Sequence, residues 1–215
     1  RGPLMKERMI IGVTGASGIT YAIRLLEVLP QMGFETHLVM SRAAQLVREY
    51  ETGVSKRGME ALADHIYGPG DIGASIASGS FKTRGMIIAP CSIKTMSEIA
   101  YGTTTNLVAR AADVTLKERR KLALLLRESP LHAGHIKTML QATEAGAIIA
   151  PAVTAFYDKP QTIQDMVDHT VGRLLSLFDI ETDLFEPWVP PNTEADHSKT
   201  TPSRSSTDKT LTTDA

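Results

Sequence analysis

Short, unbroken apolar runs alternate along the chain with stretches in which apolar residues recur every three or four positions. Met9-Ile10-Ile11-Gly12-Val13 is a run of the buried-strand kind; it passes through Thr14-Gly15-Ala16-Ser17-Gly18 into a helical pattern over 19–29. The unit repeats, with a strand over 36–40 and a helix over 41–51. A strand over 85–90 ends at proline, and Ser92 stands where it would cap the next helix. Residues 121–126 read as a strand. Ser129-Pro130 reads as a cap and first-turn proline before a helix that Gly146 ends, followed by a strand over 147–150 and a last helix over 163–178. Strands that are continuously apolar, rather than alternating in and out, predict a parallel sheet covered by helices on both faces, hence an α/β fold. Such sheets bind ligands outside the carboxyl ends of their strands, so the residues just after each strand carry the functional question.

Composition narrows the answer. The 215 residues are 42% hydrophobic and contain no apolar run long enough to span a bilayer, which predicts one globular domain without a membrane span. Twenty-three Lys and Arg against 24 Asp and Glu leave a formal charge of -1, so no whole-protein field favours nucleic acid or anionic lipid, and any anion site must be local. One cysteine, Cys91, allows neither an intramolecular disulfide nor a zinc site with several thiolates. Met5 reads as the native start, with residues 1–4 a tag scar or the remnant of a processed precursor. After Trp188 the chain turns to Ser, Thr, Asp and Lys and cannot bury enough to offset ordering. The expected folded domain is therefore 5–188 and the expected disordered tail 189–215; the expected compartment is the cytoplasm or the mitochondrial matrix.

The turn after the first strand has the spacing G-x-x-G-x-x-G over Gly12, Gly15 and Gly18, not the dinucleotide G-x-G-x-x-G, and the second strand ends in Met40-Ser41-Arg42 without the ribose-binding acid. That argues against NAD and leaves a mononucleotide or a plain tight turn. No P-loop sequence is present. Ser78-Gly79-Ser80 and Ser92-Ile93-Lys94-Thr95 add small hydroxyls near strand ends, suited to phosphate or a flavin's polar edge and equally to capping. Cys91 reads as a small buried side chain, with no helper histidine in a recognisable arrangement. Residues 110–120 are rich in basic groups and read as a solvated helix face or a ligand edge. Arg127-Glu128 directly follows an apolar strand, where an arginine can fork onto phosphate and a carboxyl can exchange protons. His132 and His135 can share a helix face, but nothing completes a metal set. Tyr157 and Trp188 are core aromatics or pocket walls.

Taken in order, several of these motifs resemble the flavin prenyltransferases of the UbiX/Pad type, within the flavin-binding cysteine-decarboxylase-like superfamily. The resemblance runs from Gly15-Ala16-Ser17-Gly18, Tyr21 and Arg24-Leu25-Leu26 through Ser41, Ala77-Ser78-Gly79-Ser80-Phe81 and Pro90-Cys91-Ser92. It continues through Asn106-Leu107, Arg110 to Val114, Leu116 to Arg120, Arg127-Glu128, Ala155-Phe156-Tyr157, Val171-Gly172-Arg173 and Trp188. Leu126, Ser129, Ala152, Thr154 and Pro187 depart from the family's usual pattern.

The resemblance implies a Rossmann-like, flavodoxin-type fold and a metal-independent enzyme. It would join a dimethylallyl group, from dimethylallyl monophosphate or the diphosphate, to N5 and C6 of reduced FMN. The prenylated FMN would pass to a separate UbiD-type decarboxylase, and the chain would assemble as a homododecamer. Carried over by position, Gly15, Ala16, Ser17, Ser41, Ser92, Thr95 and Arg127 are the implied FMN contacts. Arg110, Lys117, Arg127, Tyr157 and Arg173 are the implied binders of the prenyl phosphate. Glu51 and Glu128 are the implied active-site acids, Ser17 a proton-relaying hydroxyl and Trp188 an aromatic wall. The other readings are an FMN-dependent cysteine decarboxylase and a non-catalytic flavin carrier; the set of Lys117, Arg127-Glu128 and Tyr157 favours the prenyl phosphate.

Overall fold

The computed structural model describes residues 6–185, so residues 1–4, Trp188 and the tail 189–215 lie outside the described residues. The apolar runs become β1 (Arg8–Val13), β2 (Glu35–Met40), β4 (Gly85–Cys91), β5 (Lys121–Leu126) and β6 (Ile148–Pro151), joined by a three-residue strand, β3 (His65–Tyr67). All pair in parallel, in the order β3-β2-β1-β4-β5-β6. Without β3 the other strands read 2-1-3-4-5 in chain order, the flavodoxin arrangement, and β3 extends it at one edge to the doubly wound 3-2-1-4-5-6. The strand order reverses between β1 and β4, so the ligand crevice is expected at their carboxyl ends.

The helices are α1 (Ile19–Val28), α2 (Arg42–Glu51), α3 (Lys56–Glu60), α4 (Ile93–Tyr101), α5 (Leu107–Lys117), α6 (Ala133–Glu144) and α7 (Ile163–Ser176). Alternate strand residues face opposite ways. Met9, Ile11, Val13, Ile87 and Leu125 pack with Leu25 of α1 and with Val171 and Leu174 of α7; Ile10, Met86, Ile88, Leu122 and Leu124 pack with Val108, Ala111 and Ala112 of α5 and Ala142 of α6. Both faces are covered, as the continuous apolar runs required.

One expected boundary moves. Helix α6 begins at Ala133, and its cap is His132, whose Nδ1 accepts the Gly134 N–H at 3.0 Å. Ser129 instead donates its N–H to the Glu128 carboxylate at 3.0 Å and caps nothing. Strand β3 and helix α3 have no counterpart in the sequence reading; β3 is too short and too exposed to leave a period. No helix among the described residues is long and apolar enough to cross a membrane.

Candidate active site

The turn after β1 is held from two sides. The buried Thr14 hydroxyl donates to the Pro90 carbonyl at 2.8 Å and accepts the Ser92 N–H at 2.8 Å, so one side chain ties the β1–α1 turn to the β4–α4 turn across the reversal point. Gly15 is required by close approach, since a Cβ there would overlap the Cβ of Ala43 at the start of α2. Gly18 caps α1 at φ 111°, in the left-handed region that glycine tolerates, and offers no side chain. The missing cap comes from the far end of α2: Glu51 accepts the N–H groups of Gly18 at 2.8 Å and Ile19 at 3.1 Å. Partial burial pushes the Glu51 carboxyl up, but the Ser17 hydroxyl, these two N–H groups and the nearby Arg127 guanidinium outweigh it and hold the pKa below the usual value. Glu51 is therefore an ionised acceptor that fixes Ser17 and the α1 N-terminus. Among the described residues the N–H groups of Gly15 and Ser17 have no acceptor.

Three further helices begin at the same edge of the sheet. Ser41 caps α2 by accepting the Ala44 N–H at 3.1 Å, Ser92 caps α4 by accepting the Thr95 N–H at 3.3 Å, and Asn106 caps α5 by accepting the Ala109 N–H at 3.1 Å. The sequence left cap and ligand contact as alternatives for the serines; both are caps, with their N-termini turned to one cavity of about 580 Å³. Gly15, Ser41, Ser92, Thr95, Lys94 and Asn106 line it. Aligned helix N-termini present positive potential and N–H donors, so this cavity suits an anion. Lys94, which sequence reasoning missed, pairs with Glu98 at 2.6 Å, and the largely buried Glu98 also accepts from the Thr105 hydroxyl.

Arg127 and Glu128 emerge from the carboxyl end of β5, between β4 and β6, and the Arg127 N–H is bound to the Cys91 carbonyl at 3.1 Å. Both side chains are exposed. Cys91 is fully buried, and burial pushes its thiol far above the ordinary range, which agrees with a packing role.

A second cavity, of about 390 Å³, opens between β6, the 153–157 segment and α7. Ile148, Ile149, Leu174 and Leu177 give it apolar walls, and Tyr157 and Arg173 meet there as expected. His169, one turn before Arg173 on the same face of α7, also lines it, with its Nε2 2.8 Å from the Tyr157 hydroxyl and 3.3 Å from the Asp158 carboxylate. Sequence reasoning passed over His169; its i,i+4 spacing to Arg173 was the available signal.

The remaining expected residues are not gathered with these. Arg110 lies one turn beyond Asn106 on α5, lines neither cavity and pairs with Asp113 at 2.8 Å. Lys117 is eleven residues past Asn106, ~16 Å along the helix, and so reaches the opposite edge of the sheet, where it pairs with Glu118 at 2.5 Å. Ser78 and Ser80 lie at that amino edge too, bonded to each other at 3.0 Å, while Arg120 donates to the Gly79 and Phe81 carbonyls at 2.7 and 2.8 Å. They are not at a ligand-binding strand end. Glu35, His37 and His65 form a third cluster, but the two imidazoles stack at 4.6 Å and 11°, so their nitrogen lone pairs lie in nearly parallel planes, and Arg8 holds the shared carboxylate at 3.0 Å.

The chain matches the Flavoprotein family over residues 1–175. Over 182 residues it is 52% identical to the flavin prenyltransferase UbiX of Thauera aromatica, covering 85% of this chain and 94% of that one. The chain belongs to the UbiX flavin prenyltransferases. Among solved structures of UbiX type, it superposes on AnUbiX (PadA1) in complex with FMN and dimethylallyl pyrophosphate with a TM-score of 0.86 and 44% identity, covering 87% of this chain and all of that one. It superposes on the dodecameric FMN-dependent UbiX-like decarboxylase of Escherichia coli O157:H7 with a TM-score of 0.82 and 45% identity, covering 85% and 99%. The UbiX family implies FMN, and the residues present fit it: open N–H groups at Gly15 and Ser17, capped helix ends and small hydroxyls line the larger cavity.

Proposed function

We propose that the protein joins a dimethylallyl group from dimethylallyl monophosphate to N5 and C6 of reduced FMN. The observation that carries this reading is the pairing of two unlike cavities in a UbiX chain, one made of helix N-termini and the other an apolar slot ended by Tyr157 and Arg173. Gly15, Ala16, Ser17, Ser41, Ser92 and Thr95 would hold the flavin, and Arg127, from the strand between the cavities, would face both ligands. Bound reduced FMN supplies the nucleophilic nitrogen and carbon of the reaction. The chain's own contribution is to bind and orient. Arg173 and the Tyr157 hydroxyl stabilise the departing phosphate as the allylic C–O bond breaks and its electron pair moves to the phosphate oxygen. The apolar walls exclude water from the allylic cation. Glu51, kept ionised, holds the Ser17 hydroxyl, while Glu128 supplies a carboxyl that can exchange a proton. Trp188 belongs to this reading as an aromatic wall, outside the described residues.

Assembly belongs to the same proposal. Arg110, Asp113 and Lys117 form the outward stripe of α5, and Ile136 and Leu140 lie exposed one turn apart on α6, as a helix does when another copy covers it. The Escherichia coli relative is dodecameric. A homododecamer would let Lys117 serve the prenyl phosphate of a second copy, which its own sheet prevents it from reaching. The prenylated FMN would then pass to a UbiD-type decarboxylase.

The test is anaerobic incubation of the full chain with reduced FMN and dimethylallyl monophosphate, then with the diphosphate, followed by mass spectrometry of the extracted flavin. A flavin heavier by one five-carbon prenyl unit is the expected product. Unmodified FMN with both donors would overturn the reading and leave a flavin carrier.

A further inference from the structure

The cavity of helix N-termini has two cations on its wall, Arg42 and Lys94, and no carboxylate among the described residues that line it. The acid that balances Lys94 stands behind that wall. Glu98 lies one turn along α4 with its side chain only 10% exposed, and it gathers three side chains, each from a residue that does line the cavity. Its Oε1 accepts the Lys94 ammonium at 2.6 Å and the Thr105 hydroxyl, and its Oε2 lies 3.5 Å from the Asn106 amide nitrogen. Asn106 is itself the cap of α5, and the Glu98 carbonyl accepts the Thr103 N–H at 2.8 Å. One buried residue thus joins α4, the turn after it and the start of α5 into a continuous piece of cavity wall.

Helix stability does not account for this pair. Lys94 is the second residue of α4, where the positive end of the helix dipole disfavours a cation, and Lys before Glu is the weaker order for an i,i+4 pair. The Lys94 side chain is 72% exposed, so holding it in one geometry costs rotamer freedom that a surface ion pair hardly offsets. The arrangement becomes favourable when an anion enters the cavity. With one N–H given to Glu98, the Lys94 ammonium has two left to donate, and its chain is ordered before the ligand arrives.

We infer that Glu98 is a positioning residue which, by holding Lys94, Thr105 and Asn106 from behind, sets the Lys94 ammonium at the cavity wall as a pre-placed donor to the phosphate of FMN. The inference rests on the function proposed above and deepens it. Glu98 touches no ligand; it acts through Lys94. It therefore governs how tightly the phosphate end of the flavin is held, and not the bond-making at the isoalloxazine, which is the flavin's other end.

The experiment uses the full chain with Glu98→Leu, Glu98→Gln, Lys94→Met and the Lys94→Met/Glu98→Leu double variant. Flavin fluorescence titrations give the affinities for FMN and for riboflavin, which is the same ligand without the phosphate, and steady-state rates give kcat and the KM for FMN. Glu98→Leu and Lys94→Met should each weaken FMN by about 3- to 10-fold and leave riboflavin unchanged. The double variant should fall no further than the worse single one, because the carboxylate acts through the ammonium. The KM for FMN should rise in step while kcat at saturating FMN holds. Glu98→Gln, which keeps the shape and removes the charge, should show the same selective loss at smaller size, and it decides the matter if Glu98→Leu does not fold. Unchanged FMN affinity would leave an ordinary surface ion pair and overturn the inference. So would tighter FMN binding, the result expected if the Glu98 charge merely repelled the phosphate, and so would equal weakening of FMN and riboflavin, or losses that add in the double variant. Should the parent protein form no prenylated flavin, the proposed function fails, and the ratio of FMN to riboflavin affinity still decides this point: a fall in that ratio on replacing Glu98 supports the inference, and a constant ratio overturns it.

Discussion

The two cavities are built from different materials. Around the β1–β4 reversal, main-chain amides and helix starts supply the polarity, and the side chains involved (Ser41, Ser92, Asn106, Glu51) are already engaged in capping. Along β6 and α7 the backbone is spent within the sheet and helix, and the polarity comes from side chains of two separate segments, Tyr157 and Asp158 on one and His169 and Arg173 on the other. The first design is insensitive to most side-chain changes and sensitive to backbone shape. The second has the reverse vulnerability.

The largest effect expected from this contrast is at Arg173. Its replacement by Ala should lower kcat/KM for dimethylallyl monophosphate by about 10²- to 10³-fold while FMN affinity, measured by flavin fluorescence, stays within error; a parallel loss of FMN would merge the two cavities into one. Next comes Gly15→Ala. A methyl group that must displace Ala43 costs ~1–3 kcal/mol, so FMN should bind about tenfold more weakly or worse, with inorganic phosphate affinity at the β6 cavity retained. Thr14→Val removes a hydroxyl that satisfies both Pro90 O and Ser92 N–H and should cost ~1–3 kcal/mol in chemical denaturation, more than the same change at the exposed Thr154.

The smallest effect is at Glu51 and is visible in its pH dependence. Its carboxyl is held below its ordinary value of 4.5, so the stability it adds is complete above that pH and fades as acid brings the pH down through the folded-state value. Glu51→Gln should therefore be less stable at pH 7 by about 0.3–1 kcal/mol, and the gap between the two proteins should close only as acid takes the pH below 4.5 and through the lowered folded-state value. A gap that persists in acid would mean that shape, not charge, completes the α1 cap.

The same contrast explains what could be read from the sequence. The strand–turn–helix units were legible because each is local: Met9 to Val13, a glycine turn and an amphipathic helix follow one another directly. Ser92 as a cap was legible for the same reason. The Thr14 clasp was not, because its partners lie 76 and 78 residues away. Attention went to His132 and His135 for their spacing, yet one caps a helix and the two rings lie 3.6 Å apart as neighbours. The contact of His169 with Tyr157, twelve residues earlier and off its own helix, was not legible either. Ser129-Pro130 carried a sound capping signal, but the helix starts four residues later, at Ala133, with the His132 ring as its cap. Lys117 fell in a matching motif, but motif order says nothing about which edge of the sheet a residue on α5 reaches.

In the dinucleotide enzymes that share this strand order, the pyrophosphate rests on the start of the first helix. Here that seat is taken by the chain itself: Glu51 already occupies the α1 N-terminus with a negative charge. A pyridine dinucleotide arriving in the usual pose would have to evict an anion of the protein before placing its own. One carboxylate thus acts as a resident competitor, leaving the remaining helix starts, those of α2, α4 and α5, to receive a mononucleotide.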